Sequence, residues 1–157
     1  MLGSIIGIEE NTVLIKPNID LTKFDSLVNL HVIMEHSDKK IVGEIADIKQ
    51  NILYVNLLGE IINNKFVFGV IRKPAFSSSV KLISKEKIPM LIGMETEEEN
   101  KSLYLGTSPI YEGVRIGVDI NQFFSNHFAI FGSTGSGKSC SVARIFQNLF
   151  EKQHSIA

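Results

Sequence analysis

The sequence has a single cysteine, no long apolar run, no excess of either charge and no compositionally biased tract. Each of these absences excludes something. With Cys140 alone, the chain cannot close an internal disulfide or build a thiolate metal cluster by itself, and it suits a reducing compartment. No apolar run approaches the roughly 18 residues of a membrane-spanning helix. The amino terminus, "MLGSIIGIEENTVLIKP", lacks a basic leader and meets Glu9 and Glu10, so it does not read as a secretory signal. The expectation is a cytoplasmic protein with no membrane partner. A net charge of −1, from 16 basic and 17 acidic residues, gives no global attraction to nucleic acid. Any such contact must be local or lie outside these residues. The composition, 44% hydrophobic and 21% charged, is that of a chain that buries a core, and its 157 residues allow one domain or a small domain plus part of another.

Up to about residue 84 the chain is a succession of short runs rich in β-branched and aromatic residues, separated by polar turns. "SIIGIEENTVLIKP" predicts two strands joined at Glu10-Asn11. "LHVIMEHSDKKIVGEIADI" predicts two more around a polar loop at His36 to Lys40, and a further strand follows a turn at Gln50-Asn51. "KFVFGVIRKP" is apolar on both of its faces and predicts a strand covered on both sides. "SVKLIS" predicts a last strand, and "DLTKFDSLV" is the one place for a helical turn. Such strands at short spacing predict a small closed or nearly closed β-barrel, an arrangement that removes exposed sheet edges.

Beyond Pro74 and Ser77 to Ser79 the character changes. "KEKIPMLIG" allows a short helix limited by Pro89, and "METEEENKS" reads as an acidic loop. Short apolar strands follow, the last of them a buried strand at His127 to Phe131. "CSVARIFQNLFEK" then sets Val142, Ile145, Phe146, Leu149 and Phe150 on one helical face, with Arg144, Gln147, Asn148 and Glu151 on the other. Strand, glycine loop and amphipathic helix together predict the first β-α step of a parallel α/β sheet. The expected fold class is an N-terminal all-β small barrel followed by the beginning of an α/β P-loop NTPase domain, with the barrel at 1–92 and the NTPase portion at 93–157.

Gly132-Ser-Thr-Gly-Ser-Gly-Lys138-Ser139 matches G-x-x-x-x-G-K-[ST] in full, the Walker A pattern. Glycines at 132, 135 and 137 reach backbone angles closed to other residues and allow successive N–H groups to face one anionic centre. A helix beginning near Lys138 adds unsatisfied N–H groups and the positive end of its dipole. Lys138 is the expected contact to the β- and γ-phosphates, and the Ser139 hydroxyl the expected ligand of Mg²⁺. The nucleotide-binding set is thus Gly132, Ser133, Thr134, Gly135, Ser136, Gly137, Lys138, Ser139 and Cys140, with ATP and Mg²⁺ as cofactors. The competing reading is a flexible Gly/Ser connection, disfavoured by the strand and helix expected on either side. A hydrolysing site also requires an acidic strand, a water-positioning residue and an arginine finger. Asp119, ending "VRIGVD", precedes the loop and is a poor candidate for the first. The others are expected beyond Ala157.

"VRIGVDINQFFSNHFAIFGSTGSGKSCSVARIF" behind a barrel resembles the HerA family of hexameric DNA-translocating P-loop ATPases. The resemblance rests on Val118 to Asn121, His127 and Gly132 to Ser139, with "KPAFSSSVKLIS" in the place of the closing barrel strand. Asn126 departs from the basic residue many relatives carry there. The resemblance implies phosphate and Mg²⁺ contacts at Lys138 and Ser139, a homo-hexamer with sites between subunits, and double-stranded DNA through its pore. It further implies a partner on the barrel face: a nuclease in DNA-end processing, or a sirtuin-like NAD-degrading or nuclease effector in antiphage defence. Two functions are compatible with it, a motor and a module that docks an effector and holds neighbouring barrels together. A rotary-ATPase-like subunit is a third reading, although such subunits more usually carry a Gly-Gly-rich loop ending in Lys-Thr.

Smaller features have plainer readings. Glu95 and Glu97 to Glu99 read as a solvated loop before they read as a metal site. Arg72, Lys73, Lys81, Lys85 and Lys87 read as scattered surface cations before a DNA-binding face. His31, His36, His127 and His154 lack ligand spacing. Cys140, at the helix start, reads as a small packed residue before a reactive thiol.

Overall fold

Alternating apolar residues and tight polar turns fold the first 84 residues into consecutive antiparallel strands. In the computed structural model, which describes residues 1–91, 101–125 and 127–154, these are β1 (Gly3–Glu9), β2 (Thr12–Pro17), β3 (His31–His36), β4 (Lys39–Lys49), β5 (Ile52–Ile62), β6 (Lys65–Phe68) and β7 (Ser79–Leu82). The turns expected at Glu10-Asn11, His36 to Lys40 and Gln50-Asn51 are formed, and a further one falls at Asn63-Asn64. Gln50 and Asn51 have φ of 49° and 59°, as do Asn63 and Asn64 at 51° and 59°. Two successive left-handed residues match the right-handed twist of the strands they join. A single 3-10 turn, Leu21–Lys23, falls within "DLTKFDSLV", capped by the Asp20 carboxylate, which accepts from the Thr22 amide at 3.1 Å.

Six of the strands close a ring in the order β1-β7-β3-β4-β5-β2 and back to β1. The closing pair is β2 with β5, from Thr12↔Asn56 to Ile15↔Leu53. The thinnest seam is β1 with β7, where Gly3 faces Val80 and the Leu2 amide donates to the Val80 carbonyl at 2.7 Å. Register shifts at Ile5/Gly7 in β1 and at Val42/Gly43 and Ile45/Asp47 in β4 bend those strands, as closure of a small barrel requires. Every second residue then points inward. Val13 and Ile15, Val32 and Met34, Ile41 and Ile45, and Leu53, Val55 and Leu57 form one buried cluster with Val80. Each fully buried aliphatic side chain contributes about 1.5–3 kcal/mol relative to exposure.

One strand departs from expectation. "KFVFGVIRKP" is not covered on both faces: among the described residues β6 pairs only with Gly59–Ile62 of β5, it lies outside the closed ring, and most of its apolar side chains remain exposed. Phe68 is 80% and Ile71 93% exposed, and Gly69 ends the strand at φ 90°. Apolar content on two faces cannot distinguish a sandwiched strand from one that awaits a cover.

The compact units of the chain are Met1–Ser84 and Lys85–Ala157. The boundary expected between 92 and 93 and the acidic segment with Glu95 and Glu97 to Glu99 involve residues 92–100, outside the described residues. In the second unit a 3-10 turn, Lys85–Lys87, runs into the short helix α1 (Ile88–Leu91). The antiparallel hairpin of β8 (Ser102–Thr107) and β9 (Arg115–Asp119) follows, then α2 (Ile120–Ser125) and α3 (Lys138–His154). The fold is an N-terminal closed barrel followed by strands and helices that begin an α/β domain.

The strand expected at His127 to Phe131 is not formed, and the segment is exposed, Phe131 by 91%. A strand exists only through its pairing, and among the described residues none pairs with this segment. Ahead of it, where strands and turns were expected, the structure has α2, six residues long and too short to show helical periodicity.

Candidate phosphate-binding loop

Residues 132 to 139 turn back on themselves immediately before α3. Gly135 and Gly137 have φ of 82° and 83°, the left-handed region that glycine enters without steric cost. The Ser136 amide donates to the Ser133 carbonyl at 3.2 Å, and Gly132 lies so close to Ser136 that a methyl group on Gly132 would collide with the Ser136 hydroxyl. The first bond of α3 runs from the Ser141 amide to the Gly137 carbonyl at 2.8 Å, reinforced by the Ser141 hydroxyl at 3.0 Å. The N–H groups of Lys138, Ser139 and Cys140 precede any acceptor within the helix and project from its positive end. The first turn carries no acidic residue, so nothing in it competes with an incoming anion.

Lys138 is folded over the loop. Its ammonium donates to the Gly132 carbonyl at 2.8 Å and to the Ser133 carbonyl at 2.6 Å. The stem is flexible, so the ammonium can also reach outward from the loop. The Ser139 side chain is exposed one residue further on, offering a single hydroxyl oxygen as a metal ligand. Cys140 is a free, exposed cysteine. It is therefore not the small packed residue expected, since its helix position turns it outward. With Leu105, Ser141, Arg144 and Ile145 it lines an open hollow of about 390 Å³ beside the first turns of α3.

Aromatic contacts that sequence reasoning missed fix this loop at both ends. The Phe128 ring stacks on Phe123 of α2 at 4.6 Å and meets Phe124 edge-on at 6.2 Å. Phe124 in turn lies 6.1 Å from Phe146 of α3. Contacts of this kind contribute about 0.5–1.5 kcal/mol each beyond the area they bury. The signal in the sequence is the spacing of Phe123, Phe124 and Phe128, with Phe146 on the apolar face of the following helix. Polar side chains complete the frame. Asn148, expected on the solvent face of α3, instead donates its side-chain amide to the Tyr104 carbonyl in β8 at 2.7 Å, and Arg115 of β9 lies over the Tyr104 ring at 4.4 Å.

The remaining candidates are dispersed. Asp119 ends β9 opposite Ser102, and His127 is exposed ahead of the loop. Asn126 and the His154 side chain lie outside the described residues. His31 and His36 belong to the barrel. Lys81 is paired with Glu35 at 3.0 Å and Lys85 donates to the Glu112 carbonyl at 3.3 Å, which removes both from a common basic face.

Residues 103–156 match the family model described as "Helicase HerA, central domain". The chain is similar to the DNA double-strand break repair helicase HerA of Pyrococcus furiosus, with 34% identity over 98 residues, 62% of this chain and 16% of that protein. It is also similar to the protein of the same description from Saccharolobus solfataricus, with 27% identity over 150 residues, 80% of this chain and 29% of the relative. The chain thus spans less than a third of the length of these curated relatives. It shows HerA-family helicase homology, with a barrel ahead of the matched segment.

Proposed function

We propose that these residues are the N-terminal portion of an ATP-driven double-stranded DNA translocase of HerA type, the barrel leading into the opening of its motor. The observation that carries this reading is the loop at 132 to 139. Its left-handed glycines, the uncapped positive end of a 17-residue helix and a lysine ammonium converge where a triphosphate would sit. The residues present fit ATP with Mg²⁺. The amides from Gly132 to Cys140 would hold the phosphates, Lys138 would contribute its charge to them, and the Ser139 hydroxyl would supply one metal ligand. The metal would neutralise charge that develops on the transferred phosphoryl group. The assembly proposed is a cytoplasmic homo-hexamer with DNA in its pore and sites completed between subunits.

Substitution of Lys138→Ala in the full-length protein tests the motor reading. Turnover of ATP should fall by about a hundredfold or more, the scale of losing one preorganised charge contact to the reacting group. Ring formation, measured separately by light scattering, should persist. Unchanged turnover would refute the phosphate role.

A second reading is favoured by the apolar side chains left uncovered on the barrel unit: Phe68, Ile71 and Phe76 are all largely exposed. In it the barrel docks an effector enzyme, a nuclease or a sirtuin-like NAD-degrading enzyme, in DNA-end processing or antiphage defence. Loss of the effector on deletion of the barrel, with turnover by the remaining motor retained, would separate docking from translocation.

A further inference from the structure

The segment from Val70 to Ser78 has no regular secondary structure, yet it is tied to the barrel at several points. The Glu60 carboxylate accepts from the Ile71 amide at 3.0 Å and pairs with the Lys39 ammonium at 3.2 Å. Lys39 also donates to the Arg72 carbonyl. The Ser77 hydroxyl meets His36 Nδ1 at 3.2 Å, and the Ser78 amide closes a turn onto the Ala75 carbonyl at 2.9 Å. This strap roofs a cavity of about 140 Å³ beside the β3–β4 turn. Met34 and Ile41, paired across that turn, form its floor, and Pro74 and Ala75 line it from the strap above.

The charge around the cavity is one-sided. Its lining includes His36, Lys39, Arg72 and Lys73 and no carboxylate. Glu60 already neutralises Lys39, whereas among the described residues no ion pair takes up Arg72 or Lys73, both of which are exposed. The result is an apolar hollow with two uncompensated cations at its rim. Its volume is close to the ~150 Å³ of an engineered apolar cavity that holds benzene, which is the scale of one side chain.

We propose that this cavity is a docking pocket for an acidic peptide segment, taking one small apolar side chain on its floor and a neighbouring carboxylate on Arg72 and Lys73. This gives chemistry to the docking reading above and rests on it. A protein segment fits better than nucleic acid for two reasons. A phosphate backbone would require a stripe of cations and would leave the apolar lining of Met34, Ile41 and Pro74 without a partner. Lys81, the strand cation nearest in sequence to the strap, is already paired with Glu35. A polar rim around an apolar centre is instead the anatomy of a peptide anchor site. The ties through Glu60, Lys39 and His36 hold the strap in place before binding, which limits the ordering cost.

The test is an amide NMR titration of the full chain with the peptide Glu-Glu-Leu-Glu, acetylated and amidated. Saturable shifts should be confined to residues 34–41 and 71–78. The double substitution Arg72→Ala with Lys73→Ala, at exposed positions that leave the fold intact, should weaken binding roughly tenfold, as expected when rim charges facing an anionic partner are removed. The Gln-Gln-Leu-Gln and Glu-Glu-Gly-Glu peptides should each bind more weakly than the parent. Equal affinity of the glutamine peptide, indifference to the double substitution, or displacement of the peptide by a short DNA duplex would overturn the proposal. Shifts confined to another face of the barrel would overturn the pocket while leaving the docking role standing. Loss of partner binding on barrel deletion remains the separate measure of that role.

Discussion

The Asn148 side-chain amide donates to the Tyr104 backbone carbonyl at 2.7 Å, joining α3 to β8 across 44 positions of sequence. The bond is partly buried, so its loss strands a carbonyl that water reaches incompletely. Substitution of Asn148→Leu, which keeps the volume and removes the donor, should destabilise the contact of α3 with β8 by about 1–2 kcal/mol. Amide hydrogen exchange along α3 should then accelerate on the order of tenfold. Exchange unchanged from the parent would mean that the bond contributes nothing to the frame of the loop.

The close approach of β1 to β2 at Gly3 predicts a second effect. A methyl group on Gly3 would collide with the Lys16 carbonyl and lie 2.9 Å from Ile15 Cγ2. Neither can retreat cheaply, since Lys16 is paired with Ser4 and Ile15 is fully buried. Gly3→Ala should therefore lower barrel stability by about 1–3 kcal/mol, the usual cost of overpacking, read as a shift in the denaturant midpoint. A midpoint within error of the parent would show that β1 and β2 separate there without cost.

The hairpins were legible because their information is local. The polar turn at Gln50-Asn51 announces left-handed residues, and alternation on either side of it sets the inward face. Closure was legible only as a class. The pairing of β2 with β5 joins residues about 40 positions apart and leaves no periodic trace in either strand. The exposure of β6 was hidden for the same reason, since its apolar residues look alike whether covered or not. In the loop, the glycine spacing disclosed the backbone conformation at Gly135 and Gly137. The clamp of Phe123, Phe124, Phe128 and Phe146 was not legible, because the α2 segment reads as short strands and turns, which gives its rings no common direction.

A third prediction concerns pH. Burial holds the His31 imidazole below the ordinary histidine range, partly opposed by Glu44 across the β3–β4 ladder. The folded protein thus takes up the proton less readily than the unfolded chain. Stability from this site is fully present above the unfolded value near 6.5 and is lost as pH falls from there through the lowered folded value. The unfolding free energy, read from denaturant titrations, should decline as pH falls below about 6.5, with a slope no steeper than ~1.4 kcal/mol per pH unit, the limit for one proton. Asp20 and Asp47, held low by Thr22 and by Lys49 respectively, act below this window. His31→Gln should flatten the decline, and a decline unaltered by that change would assign it elsewhere.

The glycines of the loop should not respond alike to a single methyl group, and their order separates backbone conformation from crowding. At Gly137 there is open space for a Cβ, but φ is 83°, where an L-residue costs roughly 1–2 kcal/mol. At Gly132 the backbone is unexceptional, and the obstacle is the Ser136 hydroxyl, the end of a side chain free to rotate. If the folded loop is the conformation that holds phosphate, Gly137→Ala should weaken binding of a non-hydrolysable ATP analogue to the full-length protein roughly tenfold. Gly132→Ala should weaken it less. The reverse order would place the constraint at the Gly132–Ser136 contact and remove left-handed backbone geometry as the reason for glycine at position 137.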